Sequence, residues 1–421
     1  MLGIRTTGAA TYSRRSECRR GGAFIRDRGS MANLHFAIFS CTTGSRKPHD
    51  ALEGPMTSVH VGIRLKALRA ERHLSQEDVA HIFGFENRQT VAQIEAGQRK
   101  LSAEELVRAV EAFDVQLDYF TNPFLIVGEA RFSWRRSPNV TPGELSDFEC
   151  KAGEWIGAYR ELSEGIGQRL PAVLPRLSLT RGSSYEEAAE AGERIAAEYD
   201  LGDVPSQRLV EVMQERFSTL VLMVDARRGI SGAACLVRDL GAALVNRHEA
   251  PGRRNFDLAH EFFHLLTWDA MPPEHIDGSS QGKAQKRIEE MANCFASALL
   301  MPRATLDRYD GPVTDAAWLN ATASQLQVTA LALKWRLRSV GRITSKVAQE
   351  FDDGLLVNNG QAQASPADPP PPFGRRFMKV VAAGIDHGKI SVRRAARLLD
   401  VSIDELGELC DIHGIDRPFE L

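Results

Sequence analysis

His260-Glu261-Phe262-Phe263-His264 is the stretch on which the reading of this chain turns. Positions four apart on an α-helix share one face, so both imidazoles can reach a single metal ion. Glu261, one step after the first histidine, can lean over a water held there and take its proton. The surroundings are apolar and compatible with a helix: Asn255-Phe256-Asp257-Leu258-Ala259 leads in and Leu265-Leu266 follows. Asp257 reads as the cap or first-turn acid of that helix.

A second helix is predicted one loop later, from Lys286 to the exit at Pro302, because Ile288, Ala292, Phe295, Ala296 and Leu299 recur at helical spacing. A hydrolytic zinc needs three protein ligands and one open position. Two histidines and a glutamate from this helix would satisfy it. Glu289 and its neighbour Glu290 both compete for the third place, and the register of Glu289 one turn before Asn293 favours Glu289. Asn293 would then orient a ligand histidine through a hydrogen bond. His248 and His275 have no helical register with the motif and read as loop histidines.

A different pattern lies upstream. Val61 to Glu71 forms an amphipathic helix with a basic polar face. Ser75 with Asp78 three residues later makes a capping box, which starts a helix at Gln76 that stops at Gly84. A further short helix, Arg88 to Glu95, ends at Gly97. Two short helices across a tight turn form a helix-turn-helix, whose second member can enter the DNA major groove. Gln89 and Gln93 can pair with adenine edges, and Arg88 can bond guanine or a phosphate. Arg99 and Lys100 sit where backbone phosphates would pass. Gln76 and Thr90 complete the candidate DNA contacts. Glu95 is expected to be structural, paired with an arginine of the first helix.

With these pieces in place, two resemblances are evident. Arg64 to about Phe120 resembles the XRE (Cro/repressor-like) helix-turn-helix family, above all at Leu74-Ser75-Gln76-Glu77 and Gln93-Ile94-Glu95-Ala96-Gly97. Tyr185 to about Arg342 resembles the ImmA/IrrE metallopeptidase domain. Its separated pieces are Glu186-Glu187-Ala188-Ala189, Ile230-Ser231-Gly232-Ala233, Ala243-Leu244-Val245-Asn246, Asn255 to Leu266, Glu289 to Pro302, and Leu326-Gln327-Val328-Thr329 with Leu333 to Leu337. The second resemblance implies an α+β, gluzincin-like domain with a small sheet beside two active helices. It further implies that His260, His264 and Glu289 hold Zn2+, that Glu261 is the general base, and that the protein substrate is a repressor. Val245 and Asn246 are expected on an edge strand that pairs with an extended substrate. No residue stands out to stabilise the oxyanion besides zinc.

Composition fits such a chain. With 421 residues, 43% of them hydrophobic, there is material for two or three folded units. A net charge of −3 means that DNA binding must come from a local basic face. Cys18, Cys41, Cys150, Cys235, Cys294 and Cys410 are scattered without a C-x-x-C pair and read as reduced thiols of a cytoplasmic protein. No apolar run approaches membrane-spanning length.

The expected architecture is multidomain and mainly α. A basic, disordered tail over residues 1–55 precedes an all-α helix-turn-helix bundle over 56–122, and Met56 is the expected true start. A helical connector comes next over 123–180, then the peptidase domain over 181–356 and a Pro-rich linker over 357–374. A small helical tail over 375–421 closes the chain; Ile390 to Ser402 there looks like half of a second helix-turn-helix or a small interaction segment. The functional expectation is a homodimeric transcription regulator that binds a double-stranded DNA operator and carries a conditional zinc endopeptidase. The target would be a repressor, either itself or a partner. The alternative is a sensor-repressor whose peptidase-like domain binds metal or an effector without cutting.

Overall fold

The computed structural model describes residues 58–420 apart from 128–129, 138, 169–175, 238–239, 273–281, 359 and 361–367. The basic tail with Met56, His275 and the first half of the Pro-rich linker lie outside the described residues. Side-chain caps set the first boundaries. After α1 (Ser58–Glu71), α2 (Gln76–Phe83) begins where the Ser75 hydroxyl accepts from the Asp78 N–H and the Asp78 carboxylate accepts from the Ser75 N–H. Gly84, at φ 72°, ends it in the left-handed conformation that glycine adopts without strain. α3 (Arg88–Glu95) starts at Asn87, whose side chain accepts from the Gln89 and Thr90 N–H groups. α4 (Ala103–Phe113) and α5 (Leu117–Thr121) complete the bundle. Its core includes Leu65, Leu68, Val79, Phe83, Val91, Ile94, Phe113 and Phe120. The buried Arg64 guanidinium donates to the carbonyls of Asn122 and Leu125 at 2.7 and 2.6 Å, tying the bundle to the start of the connector.

The connector is not purely helical. Its first part is a strand, β1 (Ala130–Arg136), and only then comes α6 (Pro142–Gly165). After α7 (Tyr185–Glu198) and α8 (Pro205–Glu215), the chain adds β2 (Leu220–Val224), β3 (Ile230–Val237) and β4 (Leu240–Asn246). The sheet order is β1-β3-β4-β2, with β1–β3 and β3–β4 antiparallel and β2–β4 parallel. Alternate residues face opposite sides. Val221, Ala234, Ala243 and Val245 pack against the peptidase-side helices, whereas Leu222, Ala233, Cys235 and Leu244 face a second core shared with α6.

Beyond the sheet come α9 (Pro251–Leu266) and α10 (Lys283–Leu300), then α11 (Arg303–Leu306), α12 (Ala316–Leu326), α13 (Ala330–Ser339) and α14 (Ser345–Glu350). α7 lies along α10, and Gly192 is what permits the approach. A Cβ there would lie 2.5 Å from the Phe295 carbonyl oxygen and 2.9 Å from the Leu299 nitrogen, both backbone atoms. Gly192→Ala is therefore expected to destabilise the domain by about 2–3 kcal/mol, read as a lowered urea midpoint with an unchanged slope.

The C-terminal region is integrated, not a tail on a spacer. Phe373 is buried and exchanges backbone hydrogen bonds with Met223 at the outer edge of β2, while Arg247 donates to the Pro370 carbonyl at 3.0 Å. α15 (Arg375–Asp386), α16 (Val392–Leu399) and α17 (Ile403–Ile412) then pack into the core on the α6 side of the sheet. The Trp155 indole donates to the Leu398 carbonyl at 3.0 Å, and the Arg394 guanidinium lies 4.7 Å over the Phe124 ring. No helix among the described residues is long and apolar enough to cross a membrane.

Candidate metal centre

α9 begins at Pro251, a residue suited to the first helical position because it lacks the N–H that would go unpaired there. This overturns the reading of Asp257 as a cap. Asp257 lies mid-helix and is fully buried, held by Arg135 at 2.9 Å and Arg253 at 3.1 Å. One turn on, His260, Glu261 and His264 are all buried between the sheet and α10. α10 brings Glu289 and Asn293 to the same place.

The His260 and His264 Nε2 atoms are 3.2 Å apart. Glu289 Oε2 lies 3.1 Å from His260 Nε2, and its Oε1 lies 3.6 Å from His264 Nε2. One ligand atom from each of the three residues falls within 4.8 Å of the others. Ligands at ordinary zinc distances in a tetrahedron are separated by about 3.3 Å. The donor set therefore fits a zinc ion in both chemistry and spacing.

The supporting hydrogen bonds favour that use. His260 Nδ1 lies 3.0 Å from Asn293 Oδ1. An amide oxygen only accepts, so Nδ1 carries the proton and Nε2 presents its lone pair to the centre. The Gln285 amide donates to Glu289 Oε1 at 2.9 Å and fixes the carboxylate. Burial pushes the His260 imidazole down to about 4, with Arg135 and His264 adding to the effect and Glu289 opposing it, so the ring is neutral and free to ligate. Burial alone would raise Glu289. The two imidazoles against its carboxylate outweigh it and hold the carboxyl well below its usual range.

Glu261 is in a different state. It is 1% exposed, and neither carboxylate oxygen has a well-formed hydrogen bond. Burial raises it well above the usual carboxylate range; Arg135 is the main opposing influence, and the Ala234 backbone adds little. Gly232 on β3 lies beside it: a Cβ there would sit in ordinary contact, 3.4 Å from Glu261 Cγ and Oε1, and 3.0 Å from the Leu244 carbonyl oxygen. Neither Gly232 nor Arg135 was found from sequence as part of this site. The alternation in Arg131-Phe132-Ser133-Trp134-Arg135 is the signal that could have placed β1 in the sheet.

Val245 and Asn246 do not form an edge strand. β4 is interior, paired with β3 on one side and β2 on the other, so its backbone has no edge to offer a substrate. Asn246 is buried and donates to the Ile230 carbonyl at 2.9 Å, a structural bond. His248 stays outside the centre, against Asp225 at 2.5 Å.

In the bundle, Arg88, Gln89 and Gln93 are exposed on α3, with Gln89 and Gln93 one turn apart, and Lys100 is exposed beyond it. Thr90 is partly covered. Two candidates are engaged internally. Gln76 donates to Glu95 Oε2 at 2.8 Å, and Arg99 forms a two-pronged pair with Glu105 at 2.7 and 3.0 Å. Glu95 pairs with Arg69 of α1 at 2.6 Å, as the sequence suggested.

Comparison with known proteins agrees with this division. A helix-turn-helix family model matches residues 65–120, and the model of the IrrE N-terminal-like domain, a peptidase family, matches residues 243–338. No curated protein matches the chain. Among solved structures, the apo form of the competence regulator ComR from Streptococcus vestibularis is 10% identical, over 71% of this chain and 91% of that one, with a TM-score of 0.15. The PrgX/cCF10 complex is 14% identical, over 86% and 94%, also with a TM-score of 0.15. Likeness at that level carries no argument about fold. What the family matches establish is that this chain joins an XRE-type helix-turn-helix domain to an IrrE-like peptidase-family domain.

Proposed function

We propose that the protein is a homodimeric, cytoplasmic transcription regulator that binds a double-stranded operator and carries a zinc-dependent endopeptidase, which cleaves a repressor, itself or a partner, on a signal. The observation that carries this reading is the convergence of His260, His264 and Glu289 beside a buried glutamate whose carboxylate has no well-formed hydrogen bond. A bound zinc ion would supply a Lewis acid for the peptide carbonyl and lower the pKa of water at its open position. Glu261 would take the proton from the attacking water and pass it to the leaving amine. Asn293 and Gln285 hold His260 and Glu289 in place while this happens. On the other domain, Arg88, Gln89 and Gln93 would read base edges, with Gln76, Thr90, Arg99 and Lys100 around them; Arg99 would have to exchange Glu105 for a phosphate.

Elemental analysis of the purified full chain tests the metal assignment. About one zinc per chain is expected, falling below roughly a tenth of that in His260→Ala. Asn293→Ala should keep all three ligands and weaken zinc by about 10–100-fold in a chelator competition. A wild-type protein that takes up no zinc when it is supplied would overturn the peptidase reading.

A further inference from the structure

β1 belongs to the connector between the two domains, yet it reaches the metal centre. Arg135 pairs in register with Gly232, whose open side faces the space that Glu261 occupies. Residues directly opposite on antiparallel strands share a face, so the Arg135 side chain starts beside that space. From there its guanidinium reaches Asp257 Oδ1 at 2.9 Å and lies 5.6 Å from the centre of the Phe256 ring. Asp257 stands four residues before Glu261 on α9, hence on the same helix face. Its other oxygen is taken by Arg253 at 3.1 Å, from a side chain that is 44% exposed against 22% for Arg135.

The cluster is charged, buried and incompletely satisfied. Arg135 Nη1, Asp257 Oδ1 and both Glu261 oxygens are buried without a well-formed hydrogen bond, even though the Arg135–Asp257 ion pair is short. Buried carboxylate oxygens without a well-formed hydrogen bond, such as those of Glu261, are rare in folded proteins and mark a place where function outweighs stability.

We propose that Arg135, delivered from the connector on β1, is a positioning residue of the metal centre: clamped to Asp257, it fixes the Glu261 carboxylate in the space beside Gly232. This rests on the metallopeptidase reading above. It means that the centre is complete only with the connector strand docked, although the strand lies outside the segment that matches the peptidase family.

The test uses full-length protein loaded with cobalt(II), whose visible absorption reports on the metal's surroundings without any peptide substrate. Wild type, Arg135→Ala, Arg135→Lys, Arg253→Ala, Glu261→Gln and the double variant R135A/E261Q should each bind about one cobalt per chain, because the three ligands are untouched. R135A should raise the pH midpoint of the cobalt spectrum by about one unit, the effect expected from losing a nearby charge. In the E261Q background the same change should move it by less than about half as much, since Arg135 acts mainly through Glu261. R135K should recover about half the shift by restoring the charge without the forked geometry. R253A should leave the midpoint in place.

An R135A spectrum identical to wild type would overturn the proposal. So would an equal shift in the E261Q background, which would mean action independent of Glu261, or an equal shift from R253A, which would mean generic ion pairing. A wild-type chain that binds no cobalt would overturn the metal reading and this proposal with it, whereas cobalt binding with an unmoved R135A overturns Arg135 alone. Should circular dichroism show R135A unfolded, Arg135→Lys against Arg135→Gln decides by the same criteria.

Discussion

Glu261→Gln is expected to retain about one zinc per chain and to lower cleavage by about a thousandfold, within the range that a general base contributes. Glutamine matches the shape of the side chain and fills the same space beside Gly232, so the proposed ligands His260, His264 and Glu289 are undisturbed. What it removes is the ability to accept a proton. The readouts are zinc content and, in cells, accumulation of a cleaved repressor or of fragments of this chain by mass spectrometry. Stability supplies a third readout. Glu261 is buried with no well-formed hydrogen bond, an arrangement that costs free energy in the absence of metal. The metal-free E261Q protein should therefore be more stable than wild type by about 1–2 kcal/mol. Lost cleavage together with gained stability would identify Glu261 as a residue kept for chemistry. If gene regulation in cells were unchanged by E261Q at full zinc content, the non-proteolytic sensor would be the right reading.

The candidate ligand cluster was legible because its geometry is local. His260 and His264 are fixed by one helical period, Glu289 and Asn293 by another, and only the packing of α9 on α10 had to be supplied. The same holds for the capping box at Ser75 and for the Arg69–Glu95 pair, which obey short-range rules. Most of the errors involve pairing between distant segments. Whether Val245 and Asn246 lie at an edge depends on β2, which enters from the far side in parallel. Whether the connector is helical depends on β3, which takes up β1. Arg135 has no sequence motif at all, and it becomes part of the centre only through its register with Gly232. Asp257 was misjudged for a simpler reason: Pro251, a strong helix-start signal, was passed over in favour of an acid nearer the motif.

Glu95→Ala is expected to abolish DNA binding while leaving the metal centre intact. Glu95 joins three helices of the bundle: from α3 it accepts from Arg69 Nε at 2.6 Å and Nη2 at 3.1 Å on α1, and from Gln76 at 2.8 Å on α2. Its side chain is 5% exposed and that of Arg69 18%. Removing the carboxylate strands a largely buried guanidinium, a change that costs about 3–5 kcal/mol when burial is complete. Partial exposure of Arg69 reduces this to about 2–4 kcal/mol, still a large fraction of the stability of a domain this small. The orientation of α3 against α1 and α2 is lost with it, and so is the placing of Gln89 and Gln93. Affinity for a DNA fragment selected by wild type from a random pool should fall by about a hundredfold or more, and Glu95→Gln, which keeps one acceptor, should fall less. Hydrogen exchange should quicken across α1 to α5 while α7, α9 and α10 stay protected and zinc stays at about one per chain. Tight DNA binding by E95A would refute the bracing role. Faster exchange in α9 and β3 as well would show that the bundle and the metal centre unfold as one unit, through the Arg64 bonds to Asn122 and Leu125 and the β1 strand just beyond them.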